Sequence, residues 1–494
     1  MIISILHEHP AHTKNAGRQE MVGQIAIPAG DVLPERATTG SPARVAAGSS
    51  AVIAARLERL PMTGFQRNIF LIIATAWFFD SIDLGSLTFL LGSIKTEFGL
   101  STAQAGLLSS MSFIGMFAGA ALSGMLADRF GRKLVFQISM VFWGLGSAWC
   151  AYAPDATMLG YARLLLGFGM GMEFPVALAI VSEFLPTDKR GRYLAIMEGF
   201  WPLGFIAAGC LSYVLLSYFD WRAVFLAQAV PALFLFVIRF LVPESPRWLA
   251  DRGRHDEADR VMATIETKVA ARLDGRALSE PKVLPEQAQG ERRFSFLELW
   301  SPGYASRTVM IWLTWFFALL GFYGLTTWLG ALLQDAGYSV AKSVTYTILI
   351  SLAGVPGFIA SAILVERWGR KPTAVLMLLG SAVAAYLYGH SPNFTWLIAF
   401  GLMMQFFLFG MWSVLYAYTP ELYPTRARAT GAGCASAVGR VGSLIGPYVI
   451  GLILPTLGHG GVFALGAGSF VIAAASVGIL GIETKGRSLE AISH

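Results

Sequence analysis

Long apolar runs, separated by short polar stretches, fill the chain from about residue 69 to residue 482. A helix of about 20 apolar residues is long enough to cross the hydrocarbon core of a bilayer. The pattern therefore predicts twelve membrane spans, numbered here in chain order, at 69–94, 104–126, 134–153, 158–181, 193–216, 223–242, 308–333, 343–365, 373–390, 394–419, 430–455 and 461–482.

Polar stretches at the start, middle and end of the chain set the other boundaries. Residues 1–48 are rich in Pro, Gly and Ala, which predicts a disordered tail, and 49–60 predict a short helix at the membrane interface. The central loop is expected to hold short amphipathic helices, one of them over 254–273. The predicted parts are an N-terminal segment 1–62, six-helix bundles 63–242 and 308–482, a central loop 243–307 and a tail 483–494.

The composition agrees with a polytopic membrane protein, because 55% of the residues are hydrophobic and only 14% are charged. Soluble domains carry about 25% charged residues. The three cysteines all fall in apolar runs, which predicts neither disulfides nor a metal site. We expect the bilayer and a small molecule as partners, with no nucleic acid and no cofactor.

Among the short loops between spans, clustered basic residues occur in alternate loops, those after spans 2, 4, 8 and 10. The opposite loops hold only isolated Lys95, Arg222 and Lys342. By the positive-inside rule the clustered loops are cytoplasmic, and so are both termini and the central loop. The clusters contain Arg129, Arg132, Lys133, Lys189, Arg190, Arg192, Arg367, Arg370, Lys371, Arg426 and Arg428.

An internal repeat relates the two sets of six spans. Gly124-Met-Leu-Ala-Asp-Arg-Phe-Gly-Arg-Lys133 after span 2 recurs, 238 residues later, as Ala362-Ile-Leu-Val-Glu-Arg-Trp-Gly-Arg-Lys371 after span 8. An even number of spans in each half keeps both copies in one orientation, related by an axis along the membrane normal. Two such bundles can rock about a central site, which alternating access requires.

The paired loops resemble the signature of the major facilitator superfamily, and the resemblance covers about 65–490. Pro243-Glu-Ser-Pro-Arg-Trp-Leu249 and Glu483-Thr-Lys-Gly-Arg487 resemble its sugar porters, and Arg163-Leu-Leu-Leu-Gly-Phe-Gly-Met-Gly171 resembles a motif of proton-coupled members. The resemblance implies an all-α membrane protein with twelve transmembrane helices in two pseudo-symmetric six-helix bundles. It also implies a transporter and not an enzyme.

Spans 1, 5, 7 and 11 depart from the sugar porters. The Gln-containing run that sugar porters carry in span 7 is absent from 315–328. Phe79-Asp-Ser-Ile-Asp-Leu-Gly85 in span 1 looks like the aromatic-acid:proton symporters and the bacterial niacin-type transporters. Glu198-Gly-Phe-Trp-Pro-Leu-Gly204 and Arg440 also look like the niacin-type and organic-ion branch. These departures favour a small organic carboxylate, preferably aromatic, over a hexose.

Asp80, Asp83 and Arg163 are the candidate proton-coupling residues. Two acids three residues apart share a helix face, and like charges at close range resist joint ionisation, so one acid can exchange a proton. Arg163 would release that proton by pairing with the carboxylate in one state only. The alternatives are an acid that caps a break near Gly85, or a permanent Asp–Arg pair that holds spans 1 and 4 together.

Arg440 is the candidate site for the substrate carboxylate, because a guanidinium fork matches a carboxylate. The alternative is an internal ion pair with an acid of the first half. Glu173 and Glu198 are further candidates for substrate contact or for a structural network. Aromatic residues can pack against a flat ring substrate, although an aromatic residue of a membrane protein more often faces lipid or fills the packing between helices. The predicted cavity aromatics are Trp201, Tyr323, Trp328 and Trp412.

The signature loops are candidate gates. Asp128 and Glu366 would form ion pairs between spans that hold the outward-facing state and break on switching. Glu183 with Arg190, and Glu421 with Arg428, would extend that network. The alternative is that these charges only enforce topology. The predicted gating residues are Asp128, Arg129, Gly131, Arg132, Glu183, Arg190, Glu366, Arg367, Gly369, Arg370, Glu421 and Arg428.

The leading hypothesis is a monomeric symporter in a bacterial-type inner membrane that imports a small organic acid with a proton gradient as its only energy source. A sugar or polyol symporter, a metabolite or drug exporter, and a non-transporting sensor of the same fold are the alternatives. The chain contains no phosphate-binding loop and no nucleophile elbow, so an ATP-driven pump or a membrane hydrolase is unsupported.

Overall fold

The computed structural model describes residues 49–273, 278–281, 296–423 and 425–485, and helices are the regular structure throughout these ranges. The first half contains α1 (Ser50–Glu58), α2 (Gly64–Glu97), α3 (Thr102–Phe130), α4 (Arg132–Ala151), α5 (Ala156–Phe184), α6 (Thr187–Glu198), α7 (Phe200–Leu216), α8 (Trp221–Ala229) and α9 (Leu235–Leu241). The central region contains α10 (Pro246–Asp251) and α11 (His255–Ala270). The second half contains α12 (Ala305–Asp335), α13 (Val340–Ser351), α14 (Gly354–Arg367), α15 (Arg370–Gly389), α16 (Phe394–Glu421) and α17 (Thr425–Leu480).

These helices form the twelve predicted spans. Spans 1 to 4 are α2 to α5, and span 5 is α6 with α7. Span 6 is α8 and α9, joined by the 3-10 helix Val230–Phe234. Span 7 is α12, span 8 is α13 with α14, and spans 9 and 10 are α15 and α16.

Spans 11 and 12 are the two parts of α17. The apolar segment Thr430–Leu480 is 51 residues long, about twice what a bilayer needs at 1.5 Å per residue. The backbone of Gly458 has φ 61°, which interrupts the helical geometry where the sequence predicted a turn. The twelve-span fold is therefore confirmed.

The caps of the spans preserve the 238-residue repeat. Ser101 caps span 2 by accepting from the N–H of Gln104, and Ser339 caps span 8 by accepting from the N–H of Lys342. Side-chain caps also begin spans 4 and 10, from Asp155 and from Asn393. Each cap satisfies backbone donors that the first turn of a helix leaves free. Local chemistry thus starts equivalent spans at equivalent positions.

Glycines allow spans 2 and 4 to pack with their backbones in contact. A Cβ atom on Gly167 would lie 2.0 Å from the carbonyl oxygen of Ser112, and one on Gly115 would lie 2.1 Å from that of Leu164. Real Cβ atoms do not approach backbone so closely, so only glycine fits here. This face of span 4 also carries Arg163, whose position is thereby fixed.

The two halves meet tightly on one side of the membrane. We call the side with the loops after spans 2, 4, 8 and 10 the loop side, and the opposite side the far side. On the far side, Lys95 Nζ at the end of span 1 lies 2.7 Å from Asp335 Oδ2 at the end of span 7. Ser110 Oγ of span 2 donates to the carbonyl oxygen of Leu444 in span 11 at 2.6 Å. These contacts join the halves on that side.

Helix α1 packs on the central helices on the loop side. Arg56 Nη2 lies 2.7 Å from Glu266 Oε2, and Arg59 Nη2 lies 2.5 Å from Glu266 Oε1. Ile53 and Leu57 of α1 are buried by protein, whereas the sequence pattern predicted contact with the membrane interface. Helix α11 forms within the predicted 254–273. The predicted disordered tail 1–48 and residues 486–494 lie outside the described residues.

Candidate functional site

A central cavity of about 640 Å³ lies between the two halves. Residues from spans 1, 2, 4 and 5 face residues from spans 7, 8, 10 and 11 across it. The lining consists of Trp77, Phe113, Met116, Phe174, Glu198, Trp201, Pro202, Trp315, Leu319, Tyr323, Phe358, Phe409, Trp412, Tyr416, Ser436, Arg440 and Ser443. The cavity therefore combines mostly aromatic walls with one acid and one base.

The aromatic rings of this lining contact each other. Trp412 and Tyr416 stack with their centroids 5.8 Å apart, and Trp315 meets Tyr416 edge-on at 5.5 Å. Across the cavity, Phe113 of span 2 meets Tyr323 of span 7 at 4.7 Å. Ring faces and edges fixed in this way suit a flat aromatic molecule.

Arg440 enters the cavity from span 11. Its guanidinium carbon lies 5.3 Å from the ring centroid of Phe174 on span 4, a cation–π contact between the halves. Gly442 brings span 11 against span 7, because a Cβ there would lie 2.2 Å from the carbonyl oxygen of Phe316. Among the described residues no carboxylate lies within ion-pair distance of Arg440, so the internal ion pair left open by the sequence is not formed here.

Glu198 enters the cavity from the first half, at the end of α6 where span 5 continues as α7. Its side chain is 8% exposed. Tyr323 and Tyr416 lie within electrostatic reach of both Glu198 and Arg440. The acid and the base thus act on the same small volume from opposite halves.

The central cavity continues towards the loop side. A second cavity of about 1,510 Å³ shares Phe174, Tyr416 and Arg440 with it. That cavity extends to Thr419 and Gly433, near the loop-side ends of spans 10 and 11. Because the far side is closed by contacts between the halves, this conformation opens the central cavity to the loop side.

A separate group of charged residues is buried inside the first half. Asp80 and Asp83 of span 1 are 1% and 0% exposed, and Arg163 and Glu173 of span 4 are each 1% exposed. Neither acid of span 1 lies within ion-pair distance of Arg163 in the part of the chain that the structure describes. The permanent Asp–Arg pair considered from the sequence is therefore not present in this conformation.

Asp83 is held by span 3. Trp143 donates its indole N–H to Oδ2 of Asp83, and Ser147 Oγ donates to the same oxygen at 3.1 Å. The other carboxylate oxygen has no hydrogen-bond partner among the described residues. Arg163 lies within electrostatic reach of Asp83. The sequence did not mark Trp143 or Ser147, because neither differs locally from other residues of an apolar span.

Arg163 connects this group to the cavity region. Its Nε and Nη1 atoms are buried and have no hydrogen-bond partner within the described ranges. It also lines a cavity of about 370 Å³ together with Trp201 and Tyr323, which line the central cavity as well. Arg163 therefore has N–H groups without a partner among the described residues, and it lines a cavity that adjoins the central one.

Asp80 and Glu173 form a second acidic pair. Each is within electrostatic reach of the other, and each has one buried oxygen without a partner among the described residues. The sequence grouped Glu173 with substrate contacts, but the structure places it beside Asp80 and away from the lining of the central cavity. Glu173 therefore belongs with the buried charged group of the first half and not with the lining of the central cavity.

The predicted cavity aromatics divide into two sets. Trp201, Tyr323 and Trp412 line the central cavity. Trp328 is fully buried instead, and its indole Nε1 donates to the carbonyl oxygen of Pro447 in span 11 at 2.9 Å. Trp328 therefore contributes to packing between spans 7 and 11.

The signature loops contain matching ion pairs. Arg132 Nε lies 3.3 Å from Glu183 and its Nη1 lies 3.0 Å from Asp128. In the second half, Arg370 Nη2 lies 2.9 Å from Glu421 and 3.5 Å from Glu366. Each pair stays within its own half. Pairs within one half do not themselves hold the two halves together.

The remaining gating candidates take other positions. Glu183 pairs with Arg132 rather than with Arg190 as predicted, and Glu421 pairs with Arg370. Arg190 Nη2 donates to the carbonyl oxygen of Leu185 at 3.4 Å, and Arg428 is half-buried. Arg129 and Arg367 are exposed, whereas Gly131 and Gly369 are buried.

Two glutamates of the sugar-porter-like runs, to which the sequence analysis gave no role, complete the signature loops. Glu244 Oε1 accepts the backbone N–H of Arg132 at 3.0 Å, and Glu483 Oε1 accepts that of Arg370 at 3.0 Å. Gly131 and Gly369, at φ 103° and 105°, turn these N–H groups towards the carboxylates. Their sequence positions could have identified them, because each acid lies three residues after the last helix of its half.

Comparison with known proteins agrees with this architecture. The model of the sugar (and other) transporter family matches residues 62–494. The niacin transporter NiaP of Acinetobacter baylyi is 39% identical over 443 residues, covering 89% of this chain and 99% of that protein. The synaptic vesicle 2-related protein of Xenopus laevis is 28% identical, covering 89% of this chain and 82% of that protein.

A solved structure shows the same fold. The inward open conformation of the xylose transporter XylE from E. coli superposes with a TM-score of 0.66 at 21% identity, covering 86% of this chain and 99% of that one. The likeness extends over both bundles and not over one only. The chain therefore belongs to the sugar (and other) transporter family of the major facilitator superfamily and is a membrane transporter, not an enzyme.

Proposed function

We propose that this chain is a proton-coupled symporter of a small aromatic carboxylate of the nicotinate type. The observation that carries the proposal is Arg440, a guanidinium without a carboxylate partner among the described residues, in a cavity walled by aromatic rings. Arg440 would bind the carboxylate, and Trp412, Tyr416 and Tyr323 would hold the ring. The relative from Acinetobacter baylyi is named a niacin transporter, and niacin is an acid of this class.

The same geometry supports a direction. By the positive-inside rule the basic loops would lie in the cytoplasm, and the described conformation would then face inward. An imported substrate would leave through the wide cavity beside Gly433 and Thr419. Rocking of the halves would open the far side by parting Lys95 from Asp335 and Ser110 from Leu444.

Asp83 would carry the coupled proton. The proton would bind Asp83 in the outward-facing state and leave in the inward-facing state, when the charge of Arg163 favours the carboxylate. Trp143 and Ser147 fix one oxygen of Asp83, so the other oxygen would exchange the proton. The proton and the substrate would thus occupy separate sites joined by the region around Arg163 and Tyr323.

A sugar substrate has less support. Hexose hydroxyls need many donors and acceptors, for which carboxamides are well suited. Among the described residues that line the central cavity there is no Asn or Gln. Besides the indole N–H donors of its tryptophans, its polar side chains are Glu198, Tyr323, Tyr416, Ser436, Ser443 and Arg440. A hexose hydroxyl that gave up its hydrogen bonds to water and found no partner in the cavity would oppose binding.

The test is uptake by purified protein in liposomes with an inward proton gradient, using radiolabelled nicotinate and glucose. Entry of neutral acid into protein-free liposomes is subtracted. We expect nicotinate to accumulate and a protonophore to abolish the accumulation.

Arg440→Gln should raise the Kd for nicotinate by about 10- to 100-fold, because the charged hydrogen bonds are lost. The matched control is Arg222→Gln on the far side. Accumulation of glucose alone, or an unchanged Kd in the Arg440→Gln variant, would refute the proposal.

A further inference from the structure

Glu198 is a buried acid in the cavity that no neighbouring residue satisfies. Its side chain is 8% exposed, and among the described residues it has neither a hydrogen-bond partner nor an ion pair. A carboxyl group that loses most of its contact with water and gains no protein partner is costly, whether it is charged or neutral. Such a group at the wall of a binding cavity indicates that the ligand supplies the partner.

The position of Glu198 defines what that partner must be. Arg440 comes from span 11 and Glu198 from span 5, and both line the same cavity. Tyr323 and Tyr416 lie within electrostatic reach of both groups, so acid and base are neighbours around one ligand-sized space. A ligand that satisfies both is a flat ring with an anionic group for Arg440 and a second polar atom in the ring plane for Glu198.

We propose that Glu198 recognises the ring nitrogen of a pyridine carboxylate and thereby selects it over benzoate-like acids. One proton is shared between the Glu198 carboxyl oxygen and the ring nitrogen, as O–H donating to N or as N–H donating to O. No bond other than this hydrogen bond forms. The inference rests on the proposed function. It adds recognition of the ring nitrogen, which neither Arg440 nor the aromatic walls would contact through a hydrogen bond.

Selectivity follows from the cost of an unpaired polar group. Benzoate offers a C–H where pyridine offers a nitrogen, so Glu198 stays buried and unsatisfied when benzoate binds. A site built to hydrogen-bond one atom rejects an analogue that lacks it. Nicotinamide keeps the ring nitrogen but lacks the anion that Arg440 needs. Glu198 and Arg440 therefore recognise two different groups of one small molecule, the ring nitrogen and the carboxylate.

The experiment is equilibrium binding to purified full-length protein with nicotinate and benzoate as probes. Wild type and Glu198→Met are compared, because methionine has a similar volume and no hydrogen-bonding group able to replace the carboxyl. We expect wild type to bind nicotinate at least about tenfold more tightly than benzoate. In the Glu198→Met variant the two Kd values should agree within about twofold, through loss of nicotinate affinity alone.

Benzoate binding by the variant serves as its folding control, and Glu97→Gln on the far side is the matched acid control. Equal losses for both acids in Glu198→Met would mean that Glu198 supports the structure and does not read the ring. A preference for nicotinate that survives the substitution would also overturn the inference. If wild type binds both acids equally, only this inference fails. If wild type binds neither acid, the proposed function fails with it.

Discussion

Trp143 of span 3 donates its indole N–H to Asp83 of span 1, and both residues are buried inside the first half. Ser147, one turn further along span 3, donates to the same oxygen. The carboxylate therefore has one oxygen held by span 3 and one without a partner among the described residues. This arrangement fixes the orientation of Asp83 and leaves one oxygen available for the proton exchange proposed above.

Asp83→Asn should uncouple transport from the proton gradient. Asparagine keeps the shape and can still accept from Trp143, but it cannot exchange a proton. We expect gradient-driven accumulation of nicotinate in liposomes to fall at least about tenfold, while substrate exchange without a gradient stays within about threefold. Ser147→Ala, which keeps the carboxyl group, should retain accumulation. Concentrative uptake at the wild-type level in the Asp83→Asn variant would contradict a coupling role for Asp83.

Asp335→Asn should shift the protein towards the outward-facing state. The Lys95–Asp335 pair joins the two halves on the far side, and it must part when that side opens. A surface pair is worth up to about 1 kcal/mol, so the outward-facing population should rise by about two- to fivefold.

The measurement is the rate at which a cysteine placed at Thr88 reacts with a membrane-impermeant reagent from the far side. Glu97→Gln is the control, because Glu97 pairs with Arg222 inside the first half at 2.6 Å. A matching acceleration in the control would show that loss of charge, and not release of the halves, causes the effect.

Gly131→Ala should destabilise the first half. Gly131 has φ 103°, which side chains disfavour, and a Cβ there would lie 2.3 Å from Glu244 Oε2. We expect a loss of about 1–3 kcal/mol, seen as a lower Tm of the purified protein. Gly124→Ala, in the same signature stretch, has nothing within 4 Å of its added Cβ and should leave the Tm unchanged or raise it. Equal Tm values for both variants would contradict the account.

Glu244 and Glu483 should contribute to stability with opposite dependence on pH. Burial raises the pKa of Glu244, and its three backbone N–H donors do not offset this. For Glu483, burial also acts to raise the pKa, but backbone N–H donors outweigh it and the pKa is lowered. Glu483 therefore stabilises the fold above its unfolded pKa and loses this effect as the pH falls through the folded value. Glu244 stabilises the fold below its unfolded pKa and loses this effect as the pH rises through the folded value.

The check is the Tm of Glu483→Gln and Glu244→Gln at about pH 4 and about pH 7, on either side of the ordinary pKa of a glutamate. Glutamine mimics the neutral acid, so Glu483→Gln should lower the Tm relative to wild type more at the higher pH than at the lower. For Glu244→Gln, the Tm of the variant minus the Tm of wild type should be more positive at the higher pH than at the lower. The same trend in both variants would show that the two loops do not differ in this way.

The fold was open to prediction because the bilayer imposes one length on every span and the repeat imposes one pattern on both halves. The 238-residue offset even holds for Ser101 and Ser339, which cap equivalent spans. The turn at Gly458 was also visible, since two apolar runs flank it. These features are local, and local sequence determines them.

Neighbours across spans were not open to prediction. Trp143 and Ser147 meet Asp83 only because spans 1 and 3 pack at one particular rotation. Trp328 illustrates the same point, because it lies five residues after Tyr323 and so about 140° around the helix. Tyr323 faces the cavity, and Trp328 consequently faces Pro447. Side-chain identity alone does not give the helix rotation.

The break at Gly458 links the cavity to the signature loop of the second half. Arg440 lies on span 11, Gly458 joins span 11 directly to span 12, and span 12 leads to Glu483, whose carboxylate holds the backbone N–H of Arg370. The connection between the two spans is short, because a single non-helical residue separates the two helices. A displacement of span 11 at Arg440, the proposed substrate contact, would therefore be passed along span 12 to the hydrogen bonds of the loop side.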